Sequence, residues 1–215
     1  MFNDEFRLTQ AVLNGRKTMT RRIIEIDECV RFPIIRFRPL ENWEKKVVNP
    51  NYVFNGHVYA VYNELDLLCH LVKPRYEIGE VVAIAQSYKD SGYSPDSLDR
   101  HPKDLSVRGL MKDSAGWNNK MFVKSYACRH HIKIVNVKIE RLQDISDEDC
   151  LKEGVIHAYT DNNGIKIYHT PHTKRGYLST DVAQEAFAAL IDKVSGKGTW
   201  ESNPFVFAYE FVLVD

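Results

Sequence analysis

The sequence is poor in cysteine and has no cysteine pair. Its four cysteines (Cys29, Cys69, Cys128, Cys150) are scattered over 215 residues with no CxxC. That argues against a disulfide framework and makes a reducing cytoplasm the expected location. Net charge is also missing: 29 Lys+Arg balance 29 Asp+Glu. Bulk charge therefore cannot attract nucleic acid, and any such binding needs a local basic patch. No apolar run approaches the roughly 20 residues of a membrane-spanning helix. The opening "MFNDEFRLTQ" is acidic and lacks the apolar stretch of a signal peptide. A soluble protein with no membrane partner is expected. No P-loop, GxGxxG, HExxH or GxSxG occurs. This speaks against nucleotide hydrolysis of the usual kind, dinucleotide redox and zinc proteolysis, so neither cofactor nor metal is expected.

What is present suffices for a core, with 44% hydrophobic and 11% aromatic residues. A short helix is expected at the start, with Asn3 as N-cap and Asp4 and Glu5 in its first turn. Phe6, Thr9 and Leu13 share one face of it, Leu8 and Val12 lie beside them, and Asn14-Gly15 stops it. Residues 26–55 read as irregular, broken by Pro33, Pro39 and Pro50. "GHVYAVYN" (56–63) reads as a strand, Lys73-Pro74 as a turn, and 80–88 as a second strand. Residues 89–120 are too polar and too long for an ordinary connection. In "HHIKIVNVKIERL", Ile132 and Ile134 share one parity and Val135, Val137 and Ile139 the other, which predicts a bulge at 134–135.

"ISDEDCLKEGV" carries Ser146 and Asp149 in a capping-box spacing, with Ile145 able to staple against Cys150 and Gly154 as the stop. Residues 156–178 read as another polar insert. A helix is expected over 181–194, with Ala183, Phe187, Leu190, Ile191 and Val194 as its apolar stripe. "FVFAYEFVLV" after Pro204 reads as a strand buried on both faces. The spacing does not suit βαβ units. The expectation is an α+β chain around a mostly antiparallel sheet or barrel, as a single domain over 1–215 with long inserts at 26–55, 89–120 and 156–178.

Three places stand out chemically. "NGRKTMTRRII" (14–24) packs Arg16, Lys17, Arg21 and Arg22 into eleven residues. Lys17 and Thr20 are three apart, so a regular strand would put them on opposite faces, and one site can use both only if the backbone bends. A lysine with a depressed pKa can serve as base for a threonine nucleophile. The plain alternative is a solvated basic strand edge that resists pairing. Glu153 ends a predicted helix, where a carboxylate opposes the macrodipole; surface glutamates often do the same. "MFVKSYACRHHI" offers Lys124, Arg129, His130 and His131 beside Tyr126, which could stack on a base. Cys128 lacks the spacing of a zinc ligand set, as do His169 and His172. Trp117 and Trp200 read as packing anchors.

"VLNGRKTMTRR", "YEIGEVVAI", "VNVKIERLQDISDEDCLKEGV" and "NPFVFAYEFVLV" occur in that order. Together they resemble the ASCH domain family, in particular the larger members common in phages and prophages. The resemblance implies a PUA-like β-barrel with flanking helices that binds RNA or a modified nucleoside in a basic cleft. One bacterial branch hydrolyses the amide of N4-acetylcytidine with a Lys, a Thr and a Glu. Carried over, these roles fall on Lys17, Thr20 and Glu153. Larger members have a W-V-R-E-T-W-like strand end where this chain has "AIAQSY", so Ala85, Gln86 and Tyr88 replace an Arg, a Glu and a Trp. They have a P-R-W-A-S-R-like segment where it has "KSYACR". Arg16, Arg21, Arg22, Lys124 and Arg129 are the expected phosphate contacts, and Gln86, Tyr88 and Tyr126 the expected base contacts. The expected function is binding of RNA or a modified nucleoside. An amidohydrolase and a phage-type interaction protein acting through the inserts are the alternatives.

Overall fold

The most apolar segment, Phe205–Leu213 (β10), lies at the centre of the main sheet. The computed structural model describes residues 2, 6–26, 33–41, 43–44, 56–92, 116–120, 123–171 and 176–214. β10 is hydrogen-bonded on one side to Met19–Ile23 (β1) and on the other to His131–Arg141 (β6). Its residues alternate between two cores, as the two-residue period of a strand requires. Phe207, Tyr209 and Phe211 pack with Val12, Val61, Ile84 and Ile134, while Val206 packs with Ile145, Phe187 and Ile191.

The predicted bulge is present. Glu210 faces Asn136 and Phe211 faces Ile134, so Val135 is the extra residue, and it is 40% exposed. Val81–Ala83 (β5) completes the order β1-β10-β6-β5, with β1 at an edge. A second sheet is built from Ile34–Pro39 (β2), Tyr59–Asn63 (β3) and Leu68–Val72 (β4), and a third from Ile156–Thr160 (β7), Lys166–His169 (β8) and Ser179–Thr180 (β9). Every strand pairing among the described residues is antiparallel, and one sheet curls strongly into half a barrel. The chain is α+β. Among the described residues no helix is long and apolar enough to cross a membrane.

Helices fill the flanks: Leu8–Leu13 (α1), Tyr88–Ser91 (α2), Asp147–Lys152 (α3), Ala183–Ser195 (α4) and Thr199–Ser202 (α5). Gly15 follows α1 at φ +70°, as its position after Asn14 predicts. Ser146 accepts a hydrogen bond from the Asp149 amide, and Ile145 and Cys150 are both buried in one core. Only half of the capping box forms there, because the Asp149 carboxylate is engaged elsewhere. Ser146→Ala is expected to cost about 1 kcal/mol, read as a lowered urea midpoint at unchanged slope. In α4 the stripe holds except at Val194, which is 39% exposed. Trp200 packs edge-on against Phe187, and Trp117 packs against the Tyr88 cluster.

Four expectations need correction. The region 26–55 contains β2, which pairs with β3; Pro39 is tolerated there because it ends a strand at the sheet's edge. The strand expected over 80–88 is only three residues long. Ser87 caps α2 with a full capping box to Asp90, and that local bonding competes successfully with strand pairing. The region 156–178 is not a structureless insert, since it forms the β7–β8 hairpin. Asp161 Oδ1 accepts the amides of Asn163 and Ile165 at 2.8 Å each, and Gly164 takes φ +83°. The opening helix begins at Leu8, after a turn at 6–7, and Asn3, Asp4 and Glu5 lie outside the described residues. Cys29, His172 and most of 26–55 and 89–120 also lie outside them.

Candidate functional site

Lys17 is positioned by two helix ends. The amides of Arg16 and Lys17 both donate to the Ala11 carbonyl, which closes α1. The Thr18 amide then donates to the Lys152 carbonyl at 2.9 Å, tying the start of β1 to the end of α3. Glu153 is the C-cap of α3, so it lies directly against Lys17. Gly154 turns the chain away at φ +112°. A Cβ there would lie 3.1 Å from Leu8 Cδ2, a tight contact, and the positive φ strains any larger residue.

Lys17 is 3% exposed, and its ammonium donates three hydrogen bonds. They go to the Met19 carbonyl (2.7 Å), the Glu153 carbonyl (2.7 Å) and Glu153 Oε2 (2.6 Å). Burial pulls its pKa below the usual lysine value; Glu153 opposes this, and the charges of Arg21 and Arg22 add to the lowering. Arg21 has a fully buried side chain. Its guanidinium reaches Glu140 Oε1 at 2.5 Å, Glu153 Oε1 at 3.0 Å and Asp149 Oδ2 at 3.2 Å. Burial pushes its pKa down, but Glu153 and Glu140 outweigh that and the net shift is upward. Lys138 bridges Asp149 (2.7 Å) and Glu140 (2.9 Å).

The register explains why adjacent arginines behave differently. Arg21 faces Ala208 across the sheet and Arg22 faces Phe207. Side chains directly opposite share a face, so Arg21 leaves on the helix side, with the carboxylates. Arg22 leaves on the side of Phe207 and Tyr209. A solvated basic edge therefore does not describe Lys17 and Arg21, although β1 is an edge strand.

Acid should loosen this network. Burial pushes the Asp149 carboxyl up, but Lys138, Arg21 and Lys152 outweigh it and hold its pKa below the ordinary value. A depressed folded-state pKa stabilises above the unfolded value of about 4 and loses that contribution as pH falls through the folded one. The urea midpoint is expected to hold down to about pH 5 and then drop, with Asp149→Asn flattening that acid limb.

Lys17, Thr20, Arg21, Arg22 and Glu153 line one cavity of about 50 Å³, closed by Phe2, Phe187, Leu190 and Ile191. That admits water but is far below the roughly 300–1,000 Å³ of a ligand pocket. No hydrogen bond joins Lys17 to Thr20. Arg21, Arg22 and Ser195 also line a larger cleft of about 530 Å³, whose walls include Glu25, His70, Lys73, Arg75, Phe207 and Tyr209. The larger cleft is in the size range of ligand sites, roughly 300–1,000 Å³. The Tyr209 hydroxyl accepts the Arg75 amide at 2.8 Å, and burial raises its pKa.

No family model, no curated protein and no solved structure matches the chain. The site is therefore read from its own geometry. The structure divides the expected site residues into two groups. Gln86 and Arg129 line a different cavity of about 480 Å³ with Arg7, Gln10 and Asp90, which shares no residue with the first two. There Gln86 is buried, and its Oε1 accepts the Arg129 amide at 2.5 Å. Tyr88 is buried against Ala127 with Tyr126 packed beside it, which makes them core residues of this flank. Arg16 and Lys124 line none of the three cavities; Arg16 is exposed.

Sequence reasoning missed Glu140, Asp149 as an ion partner, Lys138, His70, Lys73 and Arg75. The alternation of Lys138 and Glu140 on a strand whose other face is apolar was a usable signal for the first of these. Nothing local marks the cleft residues, which come from β4 and the turn after it.

Proposed function

We propose that this protein is a binder of RNA or of a modified nucleoside, on a PUA-like scaffold of the ASCH type. The observation that carries the reading is the cleft of about 530 Å³ lined by Arg22, His70, Lys73 and Arg75, which shares Arg21, Arg22 and Ser195 with the small cavity of Lys17 and Glu153. It supplies a local excess of cations on a neutral chain, which is what nucleic-acid binding requires here. The antiparallel, strongly curled sheet and the motif order of the sequence support the scaffold.

The test is fluorescence anisotropy of short single-stranded RNAs over a salt series. Affinity is expected to fall with salt, by a log–log slope of about 0.7 per phosphate contacted. Absence of binding at low salt, or a slope near zero, overturns the reading.

An amidohydrolase acting on N4-acetylcytidine-type substrates is the second reading, favoured by one observation: Lys17, Thr20 and Glu153 line a single cavity. In that reaction Lys17 takes the Thr20 proton as Thr20 attacks the acetyl carbon, the C–N bond breaks as that proton passes by way of Glu153 to the leaving amine, and water then hydrolyses the acetyl-threonine ester to acetate and free Thr20. Two features rank it second. The three Lys17 donors are all occupied, and the cavity of about 50 Å³ is too small for a nucleoside.

A further inference from the structure

Of the four cations in 14–24, Lys17 and Arg21 are ion-paired in the interior and Arg16 is exposed. Arg22 differs from all three. Its side chain is half-buried, its Nε is shielded from solvent, and no hydrogen bond or ion pair reaches it among the described residues. A shielded guanidinium N–H with no acceptor is the reverse of the normal rule for buried polar groups. The register aims Arg22 to the cleft side, beside Phe207.

Two more cations, Lys73 and Arg75, line the same cleft. The carboxylate nearest Lys73 is Glu77 at 3.8 Å, and the Arg75 guanidinium lies over the Tyr76 ring at 5.7 Å. Glu25 is the carboxylate on the cleft wall. Arg21 also borders the cleft, but its charge is met by three carboxylates. With Lys73 paired to Glu77, Arg22 and Arg75 against Glu25 leave one positive charge in excess.

We infer that Arg22, Lys73 and Arg75 form a subsite for a phosphate monoester. The ligand of the proposed site is then a mononucleotide or a terminally phosphorylated strand, not a neutral nucleoside. The inference rests on the ligand-binding reading of the cleft given above. A monoester carries about −1.5 to −2 charges at neutral pH and three terminal oxygens, one for each of the three cationic side chains. An internal diester offers only two terminal oxygens and leaves one of the three side chains without a contact. Arginine supplies planar N–H pairs for phosphate oxygens, and lysine supplies a point charge.

The test is calorimetric titration with inorganic phosphate, cytidine, cytidine 5′-monophosphate and an oligocytidine without terminal phosphate. Wild type, Arg22→Gln and Arg75→Gln are compared. Both side chains reach solvent, and thermal melts check that the variants remain folded. Cytidine 5′-monophosphate is expected to bind at least about tenfold more tightly than cytidine, as a charged, bidentate contact implies. That advantage should vanish in Arg22→Gln and shrink in Arg75→Gln. Equal affinities in the wild type, or an advantage that survives Arg22→Gln, overturn the subsite. An oligocytidine that binds as tightly as the monophosphate overturns the monoester assignment. If phosphate binds through Arg22 while cytidine and its monophosphate add nothing to it, the subsite stands and the nucleoside reading falls.

Discussion

Glu153→Ala is expected to destabilise the protein by about 3 kcal/mol, because it leaves a buried cation without its partner. Lys17 is 3% exposed and loses the shortest of its three bonds. Arg21 loses one contact but keeps Glu140 and Asp149, so Lys17 bears most of the loss. One effect runs the other way. Glu153 caps the C-terminal end of α3, where a negative charge is unfavourable by about 0.3–1 kcal/mol. The broken ion pair outweighs that relief, so the net change is destabilising. For a chain of this size the thermal midpoint should fall by roughly 6–12 °C.

The double variant Lys17→Met/Glu153→Ala removes the stranded charge and should recover much of that loss. Thermal and urea unfolding of wild type and both variants read the two effects. A single variant as stable as wild type would mean that the pair is not buried in solution.

Lys17→Ala separates the two functional readings. Under hydrolysis it removes the base, and turnover of N4-acetylcytidine should fall by about 10²–10⁴-fold. Lys17→Arg should not restore it, because a guanidinium does not release its proton near neutral pH. The fold should survive Lys17→Ala, since Glu153 keeps Arg21 at 3.0 Å; circular dichroism checks this. A wild-type rate that persists in Lys17→Ala would dispose of the hydrolase reading. Under the binding reading, the same variant should leave the salt dependence of RNA binding almost unchanged. Lys17 is already paired with Glu153, and a neutralised cation releases no counterions.

Much of the architecture was legible because it depends on neighbours in sequence. The parity change in 131–141 revealed the bulge, since a strand cannot move apolar residues to its other face without an extra residue. Asn14-Gly15, Ser146 and Gly154 marked helix ends through their own backbone preferences. The apolar run declared a strand covered on both faces, which holds from Val206 to Phe211, whereas Val212 and Leu213 are exposed. The Ser87–Asp90 cap and the Asp161 turn were equally local, but β propensity at 80–88 and polarity at 156–178 concealed them.

The sequence by itself determined that Lys17 and Thr20 need a departure from regular strand to share a site. It also determined that Arg21 and Arg22 lie on opposite faces of any strand containing them. The backbone does leave strand geometry before Met19, and both Lys17 and Thr20 line one cavity. Only the tertiary structure decided which arginine goes inward. That choice depends on where Glu140, Asp149 and Glu153 arrive, from a strand and a helix end more than a hundred residues away. The same holds for the cleft, where Lys73 and Arg75 share a wall with Arg22 only because β4 and β1 border the same space. Charges so far apart in the chain leave no local periodicity, and their meeting is settled by packing.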